Sequence, residues 1–122
     1  MKFLKLSAML SLLAATPCVA KCRTDYYRFY HGSEVSTTMH VSSGVSCVIT
    51  FTNGRHSTID SIAITEQAKH GAASWNGSSG YAGVTYRSSP GYRGPDEFLF
   101  SISGASAISD KPAIVRVSVN VE

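Results

Sequence analysis

The run from Ile114 to Val121 restricts the fold more than any other part of the chain. Val115, Val117, Val119 and Val121 fall on one side, and Ile114, Arg116, Ser118 and Asn120 on the other. A period of two is the repeat of a β-strand, in which successive side chains point to opposite faces. A strand of β-branched residues with one apolar face cannot stand alone. It needs sheet neighbours and a second layer to cover that face.

The same period recurs upstream. Phe98, Phe100 and Ile102 alternate with Leu99, Ser101 and Ser103, and Cys47, Ile49 and Phe51 with Val48, Thr50 and Thr52. Met39 and Val41 alternate with Thr38, His40 and Ser42. Ile62 and Ile64 share a face within Thr58 to Thr65, and Ile59 is out of phase, which predicts a bulge near Asp60-Ser61. Ala72 to Trp75 reads as a short strand and Tyr81 to Arg87 as another, with Val84 and Tyr86 on one face. Tyr26, Tyr27, Phe29 and Tyr30 predict a first, edge-like strand, because aromatic residues favour the pleated surface. Turn residues separate these runs: Gly32-Ser33, Ser43-Gly44, Asn76 to Gly80, and Asn53-Gly54, the pair that suits a type I′ hairpin. Glu66 to Lys69 reads as a connection, ended by His70-Gly71. About seven or eight short strands with turns between them indicate an all-β sandwich or barrel. The expected core is Cys47, Ile49, Phe51, Ile62, Ile64, Val84, Tyr86, Phe98, Phe100, Ile102, Val115, Val117 and Val119.

Residues 1–20 read as a secretory signal rather than as part of the fold. Met1, Lys2 and Lys5 make a basic start, Leu6 to Ala15 is mostly apolar, and Cys18-Val19-Ala20 has small residues where a signal peptidase cuts. The apolar run is well short of the roughly 20 residues that span a bilayer. A lipoprotein reading would use Cys18, which Pro17 fits poorly. Cleavage leaves residues 21–122 as one domain, soluble and without a membrane span. Losing Lys2 and Lys5 lowers the Lys+Arg count from 11 to 9 against 8 acidic residues, so the mature net charge is near +1. The remaining arginines are scattered singly, which argues against nucleic acid as a partner. Cys22 and Cys47 remain as an even pair in an exported chain and are expected to form a disulfide. Closing a loop of about 25 residues stabilises by roughly 3 kcal/mol.

No catalytic set stands out. No Gly-x-Ser-x-Gly elbow and no paired carboxylates occur, and His31, His40, His56 and His70 lack metal-ligand spacing. The expectation is therefore no enzyme, no cofactor and no metal. The competing reading, a small hydrolase or metal-binding protein, requires at least three of His40, His56, His70 and Asp96 to converge in space. Asp96, in Gly94-Pro95-Asp96, has the chemistry of a carboxylate that accepts nearby backbone N–H groups and holds a turn, with Pro90, Gly91 and Gly94 shaping the corner. Candidate binding residues are the aromatic ones: Tyr26, Tyr27 and Tyr30 on the N-terminal edge, and Trp75, Tyr81 and Tyr92 around the loops.

The stretch from Tyr86 through Pro90-Gly91-Tyr92, Gly94 and Asp96 to Phe98 resembles the Tyr-x-Pro, Gly-x-Asp-x-Phe pattern of bacterial Ig-like and cadherin-like modules. His70-Gly71 upstream and the closing Val-x-Val-x-Val strand fit the same order, so the resemblance covers Ile59 to Val121. It implies an Ig-like antiparallel β-sandwich. Cadherin calcium motifs are missing, so calcium is not carried over. The function expected is a non-catalytic secreted or periplasmic module, binding or structural, that contacts a protein or polysaccharide of the cell envelope.

Overall fold

The computed structural model describes residues 20–51, 58–75 and 82–122. The expected signal, the Asn53-Gly54 turn, His56, the Asn76 to Gly80 loop and Tyr81 lie outside the described residues. Eight strands follow one another: β1 (Cys22–Thr24), β2 (Glu34–Val41), β3 (Cys47–Phe51), β4 (Ser61–Glu66), β5 (Gly71–Trp75), β6 (Ala82–Ser88), β7 (Gly94–Ser103) and β8 (Ala113–Val121). They form two sheets, a larger one in the order β1-β2-β8-β7-β4 and a smaller one in the order β3-β6-β5. The fold is an all-β sandwich.

The alternation that marks each strand also decides which face is covered. In β8, Ala113, Val115, Val117, Val119 and Val121 are buried while Ser118 and Asn120 are exposed. Along β7 the buried positions are Asp96, Phe98, Phe100 and Ile102, and along β3 they are Cys47, Ile49 and Phe51. Each fully buried large apolar side chain contributes about 1.5–3 kcal/mol of transfer free energy. The expected core is buried at every position except Ile64, which is half-buried against it. The core also takes in Met39, Val41, Ala73, Ala113 and Val121. Ala73 and Ala113 are too small to signal burial by pattern.

Aromatic rings run through this core as a connected row. Phe29 meets Phe51 edge-on at 5.7 Å, Phe51 stacks on Phe100 at 5.7 Å, Phe100 on Phe98 at 6.3 Å, and Phe98 on Tyr86 at 5.6 Å. The row joins the N-terminal segment to both sheets, because Phe51 and Tyr86 belong to the smaller sheet and Phe98 and Phe100 to the larger.

Four expectations are corrected. The sandwich is not wholly antiparallel, because β2 runs parallel to β8 over Glu34–Val41 and Ile114–Val121. Those strands lie near opposite ends of the chain, so the long connection that a parallel pair needs is already present. The first strand is Cys22–Thr24 rather than the tyrosine cluster, which leaves β2 after Asp25 and has no ladder partner among the described residues. The irregularity in β4 falls between Ile64 and Glu66, not at Asp60-Ser61. Finally, Gly94 and Asp96 belong to β7 rather than to a loop; Pro90 and Gly91 make the tight bend, and Gly91 and Gly94 have φ of 85° and 135°, which L side chains resist.

Candidate functional site

The two edges of the smaller sheet end differently, and the difference follows from backbone bonding. At β5, the side chain of Gln67 acts as a substitute strand. Its Oε1 accepts from Ala73 N at 2.7 Å and its Nε2 donates to Ala73 O at 2.9 Å. Both backbone groups of Ala73 therefore face away from β6.

In an antiparallel ladder, facing residues alternate between pairs that exchange both backbone bonds and pairs that exchange none. Ala73 faces Tyr86, and Tyr86 faces Cys47 on its other side. Since Ala73 gives nothing to Tyr86, Tyr86 bonds to Cys47. The next residue, Val48, then turns its N–H and C=O away from β6, and so does Thr50. Neither finds a backbone or side-chain partner among the described residues. The β3 edge is open at Val48 and Thr50, whereas β5 is covered at Ala73.

A cleft of about 790 Å³ lies along this open edge. Val48, Thr50 and Phe51 line one wall, and the chain from Cys22 to Tyr30 contributes the other. The Cys22–Cys47 disulfide holds the walls together, with a Cα–Cα distance of 5.3 Å. It joins β1, the edge of the larger sheet, to β3, the edge of the smaller.

The N-terminal wall is extended and alternates. Tyr27 and Phe29 pack against the core and His31 is buried, whereas Tyr26, Arg28 and Tyr30 are exposed. Tyr26 is 84% and Tyr30 56% exposed, high values for rings of this size. They flank Arg28 along the chain, and all three side chains are exposed. No carboxylate among the described residues pairs with Arg28, while nearby Lys21 is taken by Glu122 at 2.6 Å. The Thr24 hydroxyl and the Tyr27 phenol are buried beside the cleft and have no hydrogen-bond partner among the described residues. Burial pushes the Tyr27 phenol pKa well above its ordinary value.

Asp96 occupies a different region. Its Oδ1 accepts from Lys69 N at 3.0 Å and Glu97 N at 2.9 Å, and its Oδ2 from His70 N at 3.1 Å and the Tyr86 hydroxyl at 2.7 Å. Four donors converge on one buried carboxylate. Three of them come from the β4–β5 connection and from β6, so Asp96 ties β7 to the chain on the far side of the sandwich. Burial, followed by the hydrogen bond to Asp96 and its charge, pushes the Tyr86 phenol pKa up. His70 lies flat on Tyr92, with centroids 4.0 Å apart and planes 4° from parallel, and the Tyr92 hydroxyl donates to the Pro95 carbonyl.

The candidate residues thus separate into groups. Tyr26, Tyr27 and Tyr30 share the cleft, with Cys22 at its margin. Tyr92 belongs to the Asp96 region. Trp75 is half-buried against the core, with its indole N–H lacking a partner among the described residues, and it does not line the cleft. Of the residues invoked for hydrolysis or metal binding, His40 lies 3.8 Å from Asp25, while His70 meets Asp96 through its backbone. No three His, Cys, Asp or Glu gather as metal ligands among the described residues. Pattern reading did not single out Arg28, Val48, Thr50 or Gln67. Arg28 was within reach of it, because Tyr26, Arg28 and Tyr30 alternate with Tyr27, Phe29 and His31. Gln67 carried no signal.

No known family model matches the chain, and no curated protein matches it at a significant level. Among the described residues no helix is long and apolar enough to cross a membrane.

Proposed function

We propose that this chain is a non-catalytic Ig-like binding module, exported to the periplasm or beyond, that contacts a protein or polysaccharide partner of the cell envelope through its N-terminal edge. The observation that carries the reading is the cleft between β3 and Cys22 to Tyr30, with Tyr26, Arg28 and Tyr30 exposed on its wall. Tyrosine and arginine supply large contact area, stacking and directed hydrogen bonds at little conformational cost.

The strand partition supports the Ig-like part. Strands β3, β6 and β5 form one sheet and β4, β7 and β8 lie together in the other, the partition by which Ig domains divide their second, fifth and fourth strands from their third, sixth and seventh. The inter-sheet disulfide and the apolar leader at residues 1–20 support export.

The test is a screen of envelope polysaccharides and envelope proteins against the purified protein and a Tyr26→Ala/Tyr30→Ala variant. A binder lost in the variant, with melting unchanged, supports the reading. A binder indifferent to both tyrosines, or no binder at all, removes it.

A further inference from the structure

The open β3 edge narrows the partner, on the assumption that the cleft is a binding site. The smaller sheet has two edges. Gln67 occupies the backbone groups of Ala73 on one, but on the other the N–H and C=O groups of Val48 and Thr50 face the cleft without partners among the described residues. Natural sheets cover, twist or charge their edges, because an exposed edge is a template for another strand. Val48 and Thr50 are uncharged and exposed, and no proline interrupts β3. The facing wall alternates exposed residues with partly or fully buried ones from Tyr26 to His31, the side-chain period of a strand. Polysaccharides have no regular backbone N–H and C=O series to match this edge; an extended peptide does. Charge narrows it further. Arg28 has no carboxylate partner among the described residues and is exposed beside the cleft, as are Tyr26 and Tyr30. A guanidinium in that setting takes a carboxylate.

We propose that the cleft binds an extended segment of a partner polypeptide by strand addition to β3, with main-chain hydrogen bonds to Val48 and Thr50 and an Asp or Glu side chain of the segment on Arg28. Alternate side chains of the bound segment face the protein, and the others face solvent.

The probe is a displayed library of linear peptides, selected on the purified, oxidised protein. The expected winners alternate β-branched with polar residues and carry at least one acidic residue. Binding slows hydrogen exchange at the Val48 and Thr50 amides, which is read on the unmodified protein. Val48→Pro removes an outward N–H without touching the β3–β6 ladder, and an outward position on an edge strand is one where proline is tolerated. It weakens binding by about tenfold. Arg28→Glu weakens acidic peptides by about tenfold but leaves their Asp→Asn counterparts unchanged. Peptides that bind without protecting those two amides, or bind Val48→Pro as tightly as the parent, overturn strand addition. Alginate or polygalacturonate binding that needs Tyr26 and Tyr30, with no peptide selected, overturns the partner class and leaves the binding site standing. A dimer abolished by Val48→Pro makes a second copy the occupant and equally overturns the proposal. Failure of both probes removes the binding reading itself.

Discussion

The two edges of the three-stranded sheet are built from similar strands, five residues each in β3 and β5, but they are finished in opposite ways. Beside β5, Gln67 bonds the backbone of Ala73, and Asp96 gathers Lys69, His70, Glu97 and Tyr86. The Asp96 carboxylate and the Gln67 amide are partnered there, although the Trp75 indole N–H has no partner among the described residues. Beside β3, the backbone of Val48 and Thr50, the Thr24 hydroxyl and the Tyr27 phenol have no partners among the described residues, and aromatic surface is exposed. A satisfied network raises stability and rigidity, while an unsatisfied one costs stability unless something binds to it. The closed edge is therefore where substitutions should be felt in folding, and the open edge where they should be felt in binding.

The strongest test of that division is Asp96→Ala. It leaves three backbone N–H groups and the Tyr86 hydroxyl without their acceptor, and a loss of at least ~3 kcal/mol is expected. Urea denaturation measures it. Binding by the fraction that remains folded should be unchanged; lost binding with unchanged melting would move the site to Asp96.

Removing the disulfide, as Cys22→Ala/Cys47→Ala or by reduction, should cost about 3 kcal/mol. The clasp holds the two walls of the cleft, so here binding should weaken as well, which calorimetry on the reduced and oxidised forms reads directly. Equal affinity in both forms would show that the walls do not need the clasp.

The two buried phenols make a matched pair. Tyr86→Phe takes one donor from Asp96 and should cost about 1.5–3 kcal/mol, because the acceptor is charged. Tyr27→Phe removes a hydroxyl that has no partner among the described residues, so stability should be unchanged or slightly higher. Both phenols have folded-state pKa values raised above the ordinary 10.0. A raised folded pKa means the folded state holds its proton longer. Each phenol's contribution is therefore present in full below pH 10.0 and declines as pH rises above it, by up to ~1.4 kcal/mol per pH unit. Melting scans at stepped pH should show the decline, and each Phe variant should lessen it.

The smallest effect belongs to Gln67→Ala, about 1 kcal/mol, because water can replace the lost bonds at an edge. Its sharper readout is association. Freeing the backbone of Ala73 turns the closed edge into a second open one, and light scattering should show more self-association than in the parent. No change would mean that Gln67 is not what protects β5.

Much of this architecture was legible in the residues. The alternation in β3, β7 and β8 named the core almost completely, because burial on one face of a sheet forces a period of two. The cysteine pair was legible from export and parity. The tyrosine segment was legible as extended but not as unpaired, since pattern reports backbone extension and says nothing about partners. The corner was read as held by its own Asp96, whereas the carboxylate reaches across to Lys69 and His70, 27 and 26 positions away.

The amino-acid order alone determined an all-β chain, its buried face, its aromatic segment at residues 26–30 and the residues that bend it. These are local matters, settled by side-chain size, alternation and turn chemistry. Tertiary structure decided which strands became edges, that β2 lies parallel to β8, that Gln67 covers β5, and that the backbone of Val48 and Thr50 faces a cleft. Each of those depends on which distant segments meet, and hydrogen-bond partners far apart in the chain leave no periodic trace in it.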